Sequence, residues 1–336
     1  MKAVGLYKYL PIEAEDSFVD VTLDKPVPSG RDTLVNVQAV SVNPVDTKVR
    51  SPKEKVEETA KVLGWDACGI VEAVGEDCTL FAPGDEVYYA GDVTRQGSNS
   101  EYQLVDERIV GPKPANLSVA EAAAMPLTTI TAWEGLYERL GITKEKDEGK
   151  SILIINGAGG VGSIAIQLAK WSGLHVIATA SRPETEAWCK ELGADEVINH
   201  HEDFLPQLSE KGLNGVDYIF CLHSTDLHWH KMGEAILPQG KICSIVENEN
   251  DLPLGVLKNK SATFVWEFMF TRAMYETEDM IEQHRLLKQT SELLDKGILR
   301  STLNETLSPI NAERLKEAHR KIESGKMIGK LVVEGF

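Results

Sequence analysis

The sequence predicts an α/β protein in two parts, a β-rich first part and a doubly wound parallel sheet, and three observations predict it. Short strand patterns broken by proline and glycine fill the chain up to about Ala124. Beyond Lys150, apolar runs alternate with helical stretches. The first of those runs leads directly into a glycine-rich loop, Gly157-Ala158-Gly159-Gly160-Val161-Gly162.

In chain order, the strand patterns begin with Thr33 to Val40 and Gly69 to Gly75, and the Pro83-Gly84-Asp85 turn introduces Glu86 to Tyr89. Many short strands with turn signals between them suit a small barrel or sandwich. The segments Arg50 to Lys61 and Asp92 to Ser100 read as loops. The mixed charge run Lys144 to Lys150 reads as a solvated loop. Ser151 to Asn156 is a continuous apolar run of the kind a strand covered on both faces requires. His175 to Ala180, Glu196 to Asn199, Asp217 to Leu222, Lys241 to Val246 and Ala262 to Phe268 continue the series. With Ser151 to Asn156 they make six strands with helices between most of them, the pattern of a six-stranded parallel sheet. Met280, Leu287 and Leu294 fall on one face of a predicted helix, and Gly329 to Val333 reads as a strand that can return to the first part.

The 336 residues carry 35 Lys and Arg against 52 Asp and Glu, a net charge of −17. Phosphate neutralisation supplies most nucleic-acid affinity, so no nucleic-acid partner is expected. A hydrophobic fraction of 42% without a long uninterrupted apolar window gives a globular chain and no expected membrane span. Five scattered cysteines, with no C-x-x-C pair, suit reduced thiols. The start, Met1-Lys2-Ala3-Val4-Gly5, runs straight into strand-like sequence, so a cytoplasmic location is expected.

The glycine loop matches G-x-G-x-x-G at Gly157, Gly159 and Gly162, after an apolar strand and at the start of a helix over Ser163 to Trp171. Glycine there permits the tight turn, the approach of backbone to pyrophosphate and close helix–strand packing. The helix start adds unpaired N–H groups and a partial positive charge. Gly157, Gly159, Gly160, Val161 and Gly162 are therefore candidate dinucleotide contacts. An NAD site places a carboxylate about 20 residues on. Here that point reads Thr179-Ala180-Ser181-Arg182-Pro183, and the first carboxylate is Glu184. Ser181 and Arg182 suit a 2′-phosphate through charge-assisted hydrogen bonds, which predicts NADPH over NADH.

At these residues the chain resembles the medium-chain dehydrogenase/reductase superfamily. Within it the chain is similar to the zinc-free quinone oxidoreductases of the zeta-crystallin type, and most to those labelled zinc-type alcohol dehydrogenase-like. The resemblance rests on Ser41 to Arg50, Pro83 to Val87, Met125 to Ala132, the glycine loop, and Leu192-Gly193-Ala194-Asp195 ahead of Val197 to His200. It implies a GroES-like β-barrel catalytic domain over residues 1–125 and 271–336. Between these parts it implies a Rossmann NADPH-binding domain over 126–270, and for the assembly a homodimer or homotetramer. It places His200 and Ser224 along the cofactor, and Asn43, Lys48 and Thr131 at its nicotinamide end. Asp46 then either orients Lys48 or caps a short helix.

Zinc enzymes of that superfamily carry a Cys where this chain has Asn43, and a Gly-His-Glu segment where it reads Gly64-Trp65-Asp66. Neither Met125 to Thr131 nor Tyr89 to Glu101 contains a Cys. A catalytic zinc needs about three protein ligands, so no metal is expected. His223, Asp226, His228 and His230 form a residual cluster that reads better as a helix start capped by Thr225 or Asp226. Cys68 has no basic neighbour within four residues and no nucleophilic role is assigned to it.

The expected function is NADPH-dependent, zinc-independent hydride transfer to a quinone or an α,β-unsaturated carbonyl in an interdomain cleft. A zinc-type alcohol dehydrogenase and a non-catalytic NADPH-binding protein are the alternatives.

Overall fold

The computed structural model describes all residues from Met1 to Phe336. The chain divides into two compact units, Met1–Ile130 with Phe270–Phe336, and Thr131–Met269. The division falls inside the helix Pro126–Trp133 and after Met269, where the sequence reading divides the chain at 125/126 and 270/271.

The first unit opens with strands β1 (Lys2–Tyr9), β2 (Val19–Thr22), β3 (Asp32–Val42), β4 (Lys53–Val62), β5 (Asp66–Val74), β6 (Glu86–Tyr89), β7 (Tyr102–Asp106) and β8 (Val110–Pro112). β1 lies between β2 and β4 in a three-stranded sheet. β4 takes up most of the stretch Arg50 to Lys61, which the sequence presents as a loop. Its first residues are nearly all exposed and charged, so no apolar alternation marks it; pairing with β1, Gly5 opposite Val62 and Leu6 opposite Lys61, makes it a strand.

The second unit contains β9 (Ser151–Ile155), β10 (His175–Thr179), β11 (Glu196–Ile198), β12 (Val216–Cys221), β13 (Ile236–Ser244) and β14 (Thr263–Trp266). All its strand pairs are parallel, in the order β11-β10-β9-β12-β13-β14. This is a doubly wound sheet whose strand order reverses between β9 and β12, the place where such sheets bind ligands. Every residue of β9 is buried, as its unbroken apolar run requires. Leu153, Ile155, Ile177 and Ile219 pack with Trp229, Met232 and Phe204 into one core. Each such aliphatic side chain contributes about 1.5–3 kcal/mol on full burial. The charge run before β9 is not only solvated loop. Lys144–Asp147 is a short helix, and Asp147 is buried, accepting hydrogen bonds from the Tyr218 hydroxyl at 2.9 Å and the Thr143 amide at 2.8 Å.

The chain then re-enters the first unit. The helix Glu282–Asp295 buries Leu287 and Leu294, with Met280 buried just ahead of it. β15 (Leu303–Leu307) and β16 (Lys330–Glu334) complete the seven-stranded sheet, ordered β15-β16-β3-β5-β6-β8 with β7 also paired to β3. β16 runs antiparallel to β3, with Leu331 opposite Val42, while Asp66 of β5 lies opposite Ser41. Three segments far apart in sequence therefore meet at the end of β3.

Candidate functional site

Every cofactor residue expected from the sequence lies at the carboxyl end of a parallel strand in the second unit. Gly157 to Gly162 follow β9, Ser181 and Arg182 follow β10, His200 follows β11 and Ser224 follows β12. Adjacent strand ends are tied together. The amides of Asn156 and Gly157 donate to the Thr179 hydroxyl and carbonyl at 2.9 and 3.0 Å, and the Ala180 amide donates to the Ile198 carbonyl at 3.0 Å.

The glycine loop is a cradle that side chains would fill. A Cβ on Gly162 would lie 2.4 Å from the Asn156 carbonyl oxygen, and one on Gly157 would lie 2.7 Å from the Ala178 Cβ. Gly160 and Val161 form the first turn of the helix Gly160–Trp171, where the leading N–H groups have no carbonyl in their own helix. The helix begins three residues ahead of Ser163, where the sequence reading starts it, so its N-terminus sits within the loop itself. These residues fit a dinucleotide pyrophosphate.

At the end of β10, Ser181 is exposed and the Arg182 Nε lies 3.2 Å from Glu184 Oε1, both side chains reaching solvent. His200 is half-buried beside His201 and His228, with ring centroids 4.4 and 6.5 Å away. Its Nδ1 is buried without a hydrogen-bond partner. Burial, then the neighbouring His201, His223 and Lys231, lower its pKa to about 4, so it is neutral near pH 7. Ser224 sits in the left-handed region at φ 47°, and its hydroxyl meets His223 Nδ1 at 2.8 Å.

The capping expected at the next helix is not what forms. The Thr225 hydroxyl turns inward to Ser244 Oγ at 2.6 Å, and the Asp226 carboxylate accepts from the Glu249 and Asn250 amides at 2.9 and 3.0 Å. Asp226 is thus engaged away from the histidines, His228 is buried against Phe204, and His230 is exposed. No group of three or more His, Cys, Asp or Glu side chains is arranged to hold a metal ion. Cys68 is buried, and burial pushes its thiol up to about 12, which keeps it inert.

In the first unit, a buried polar cluster closes the end of β3. Asn43 precedes the helix Pro44–Arg50, and its amide donates to Asp46 Oδ2 at 2.7 Å. Asp46 therefore serves the helix start, the second of the two roles open to it. The Asn43 side-chain amide donates to Asp66 Oδ2 at 2.8 Å, and its oxygen accepts from the Lys330 ammonium. Lys330 also lies 3.1 Å from Asp66 Oδ2 and 3.3 Å from the Val42 carbonyl. Asp66 Oδ1 accepts the Leu127 amide at 2.7 Å. Burial raises the Asp66 pKa against the lowering effect of Lys330 and Asn43, and burial raises Asp46 to about 7.

Asn43 is thus 1% exposed and committed to its neighbours, whereas Lys48 stands exposed on the helix that Asn43 begins. Thr131, in the second unit, is buried near the end of the helix Pro126–Trp133. Lys330 is the site residue that sequence reasoning missed. The Gly329-Lys330 pair ahead of an apolar strand is its only local mark, and nothing in it points 287 residues back to Asn43.

Residues 29–132 match the family described as alcohol dehydrogenase GroES-like domain, and residues 192–333 match that described as zinc-binding dehydrogenase. A zinc-type alcohol dehydrogenase-like protein of Staphylococcus aureus (strain MSSA476) is 48% identical over 335 residues, covering 99% of each chain. A 2-methylene-furan-3-one reductase of Solanum lycopersicum is 30% identical, over 98% of this chain and 76% of its own. A solved structure from Rhizobium etli CFN 42, named for a zinc-dependent alcohol dehydrogenase, is 51% identical with a TM-score of 0.96, over 100% of this chain and 98% of that one. With a GroES-like unit, a six-stranded parallel Rossmann sheet and full-length relatives of this kind, the chain belongs to the medium-chain dehydrogenase/reductase superfamily, as an oxidoreductase of that type.

Proposed function

We propose that the chain is an NADPH-dependent, zinc-independent reductase of quinones or of alkenes conjugated to a carbonyl. The observation that carries this reading is the end of β10, where Ser181 and Arg182 stand beside the glycine cradle and no carboxylate precedes Glu184. A carboxylate there would accept the ribose 2′-hydroxyl and repel a 2′-phosphate, whereas a guanidinium binds that phosphate through paired hydrogen bonds. Gly157, Gly159, Gly160, Val161 and Gly162 would hold the pyrophosphate, with His200 and Ser224 on the flanking strand ends. The neutral His200 ring keeps an unpaired nitrogen for a polar partner. When bound, the dinucleotide supplies the hydride.

The protein must then orient the acceptor and stabilise negative charge developing on its oxygen. Lys48, as an exposed cationic donor, and Thr131, through its hydroxyl, are proposed for the nicotinamide end. Asn43 keeps its place in that set through its position: its side chain braces the turn that carries Lys48 rather than offering a free donor. The tomato relative's name specifies reduction of a methylene-furanone, an alkene conjugated to a ketone, which supports the acceptor class.

Zinc does not fit. At the positions where the resemblance expects ligands stand an amide and a carboxylate, and both are bound to a lysine ammonium. The test is NADPH and NADH oxidation with a panel of para-quinones, ortho-quinones and enones, alongside zinc-dependent alcohol oxidation. Turnover with NADPH and a member of the panel is expected. Tight NADPH binding without turnover on any acceptor would favour a non-catalytic binding protein.

A further inference from the structure

We propose that Lys330 is the resident cation of the first unit, its ammonium filling the place that a metal ion would take between Asn43 and Asp66 and barring divalent cations from it. The inference rests on the zinc independence proposed above and extends it to a named residue.

The geometry carries it in three steps. First, the ammonium is fully used. A lysine has three N–H donors and no acceptor. Around Nζ stand three oxygens, Asp66 Oδ2 at 3.1 Å, the Val42 carbonyl at 3.3 Å and Asn43 Oδ1. Converging oxygens around a compact positive charge are also how hard cations are held. Second, the charge is matched. The side chains of Lys330 and Asp66 are 3% and 0% exposed, so water screens neither, and the carboxylate lies within ion-pair distance of the ammonium at 3.1 Å. Burying one alone would be strongly unfavourable. Third, the remaining positions on the ligating atoms are taken. Asp66 Oδ1 accepts the Leu127 amide at 2.7 Å, and the Asn43 amide nitrogen donates to Asp66 Oδ2 at 2.8 Å. A divalent ion entering here would have to displace an ammonium that β16 holds in register beside β3, with Leu331 opposite Val42. The C-terminal strand therefore delivers the site's cation as well as completing the sheet.

Removing the ammonium should convert the cluster into a cation site, because the Asp66 carboxylate, the Val42 carbonyl and the Asn43 oxygen would be left around a lysine-sized space. The probe is Co²⁺, added to the purified full-length chain and read by its d–d absorption and by metal content after gel filtration, independently of any NADPH turnover. Wild type and Lys330→Arg are expected to take up no cobalt, and Lys330→Ala about one ion per chain. Thermal melting run with and without Co²⁺ should show stabilisation of Lys330→Ala alone. Lys330→Gln, which keeps hydrogen bonding without the charge, serves as a second variant and should behave as Lys330→Ala does. A folded Lys330→Ala or Lys330→Gln that takes up no cobalt overturns the proposal. So does stoichiometric uptake by wild type, which decides the matter even where neither variant folds. Loss of NADPH turnover with metal exclusion intact would count against the proposed function and leave this inference standing.

Discussion

Replacing Arg182 with Ala tests the coenzyme preference at the residue on which it depends. The Arg182 side chain is 35% exposed and its Nε lies 3.2 Å from Glu184 Oε1, itself 57% exposed. A hydrogen bond to a charged group contributes about 1.5–3 kcal/mol. An exposed ion pair of the Arg182–Glu184 kind contributes about 0–1 kcal/mol, and binding a phosphate gives that up. Taken near the middle of each range, the net contribution to NADPH is about 1–2 kcal/mol. At about 1.4 kcal/mol per tenfold, Arg182→Ala should lower kcat/KM for NADPH roughly 5- to 30-fold and leave NADH almost unchanged. The substitution leaves the helix start intact, since it is the Arg182 backbone that bonds to the Thr185 hydroxyl, at 3.1 and 2.8 Å. The assay is initial-rate oxidation of each coenzyme with one fixed quinone. Equal loss with NADPH and NADH would refute a 2′-phosphate role, because the two differ only in that group. Glu184→Gln supplies the reverse perturbation and should improve NADPH use by releasing the guanidinium.

Gly162→Ala would force a Cβ to within 2.4 Å of the Asn156 carbonyl and 2.6 Å of the Gly157 carbonyl, neither of which can swing aside. Overpacking of this kind costs about 1–3 kcal/mol, and coenzyme binding measured by fluorescence should fall sharply; wild-type affinity would show that the loop is not the cradle. Lys330→Met and Asp66→Asn should each destabilise by about 3–5 kcal/mol in urea, because each leaves a buried group without its partner. The double variant should lie closer to wild type than the sum of the singles, and simple additivity would contradict a coupled pair. Burial raises the Asp46 pKa from 3.8 to about 7, so the folded state holds a proton that the unfolded state releases, and this contribution to stability is lost as pH rises from 4 to 7. Asp46→Asn should remove that slope, worth at most about 4 kcal/mol, in melts compared from pH 4 to 8. The wild-type-minus-variant difference isolates it, because His200 and His228, lowered to about 4, act in the opposite direction as pH falls below 6.5.

The sequence by itself determined what contiguous residues can encode. The apolar run Ser151 to Ile155, the glycine spacing after it and the strand–helix alternation to Trp266 specify a doubly wound sheet, because strand burial and tight turns leave their marks within a few residues. β13 shows the limit. It begins at Ile236, ahead of the expected Lys241, through Pro238 and Gly240, which local pattern treats as breakers. The lack of cysteine at the ligand positions was legible too, since an absent side chain needs no structure to register.

Tertiary structure alone decided what stands there instead. The charges of β4 become a strand through pairing with β1, and Asp147 leaves solvent because Tyr218 comes to it from 71 residues away. Lys330 meets Asn43 and Asp66 only because β3 pairs with β5 on one side and β16 on the other. Local periodicity shows which face of a strand is buried but not which distant strand pairs with it, and that choice of partner is made only in the folded sheet. Sequence shows that the zinc ligands are missing; the fold brings a lysine from near the end of the chain against Asn43 and Asp66, the residues that stand at two of their positions.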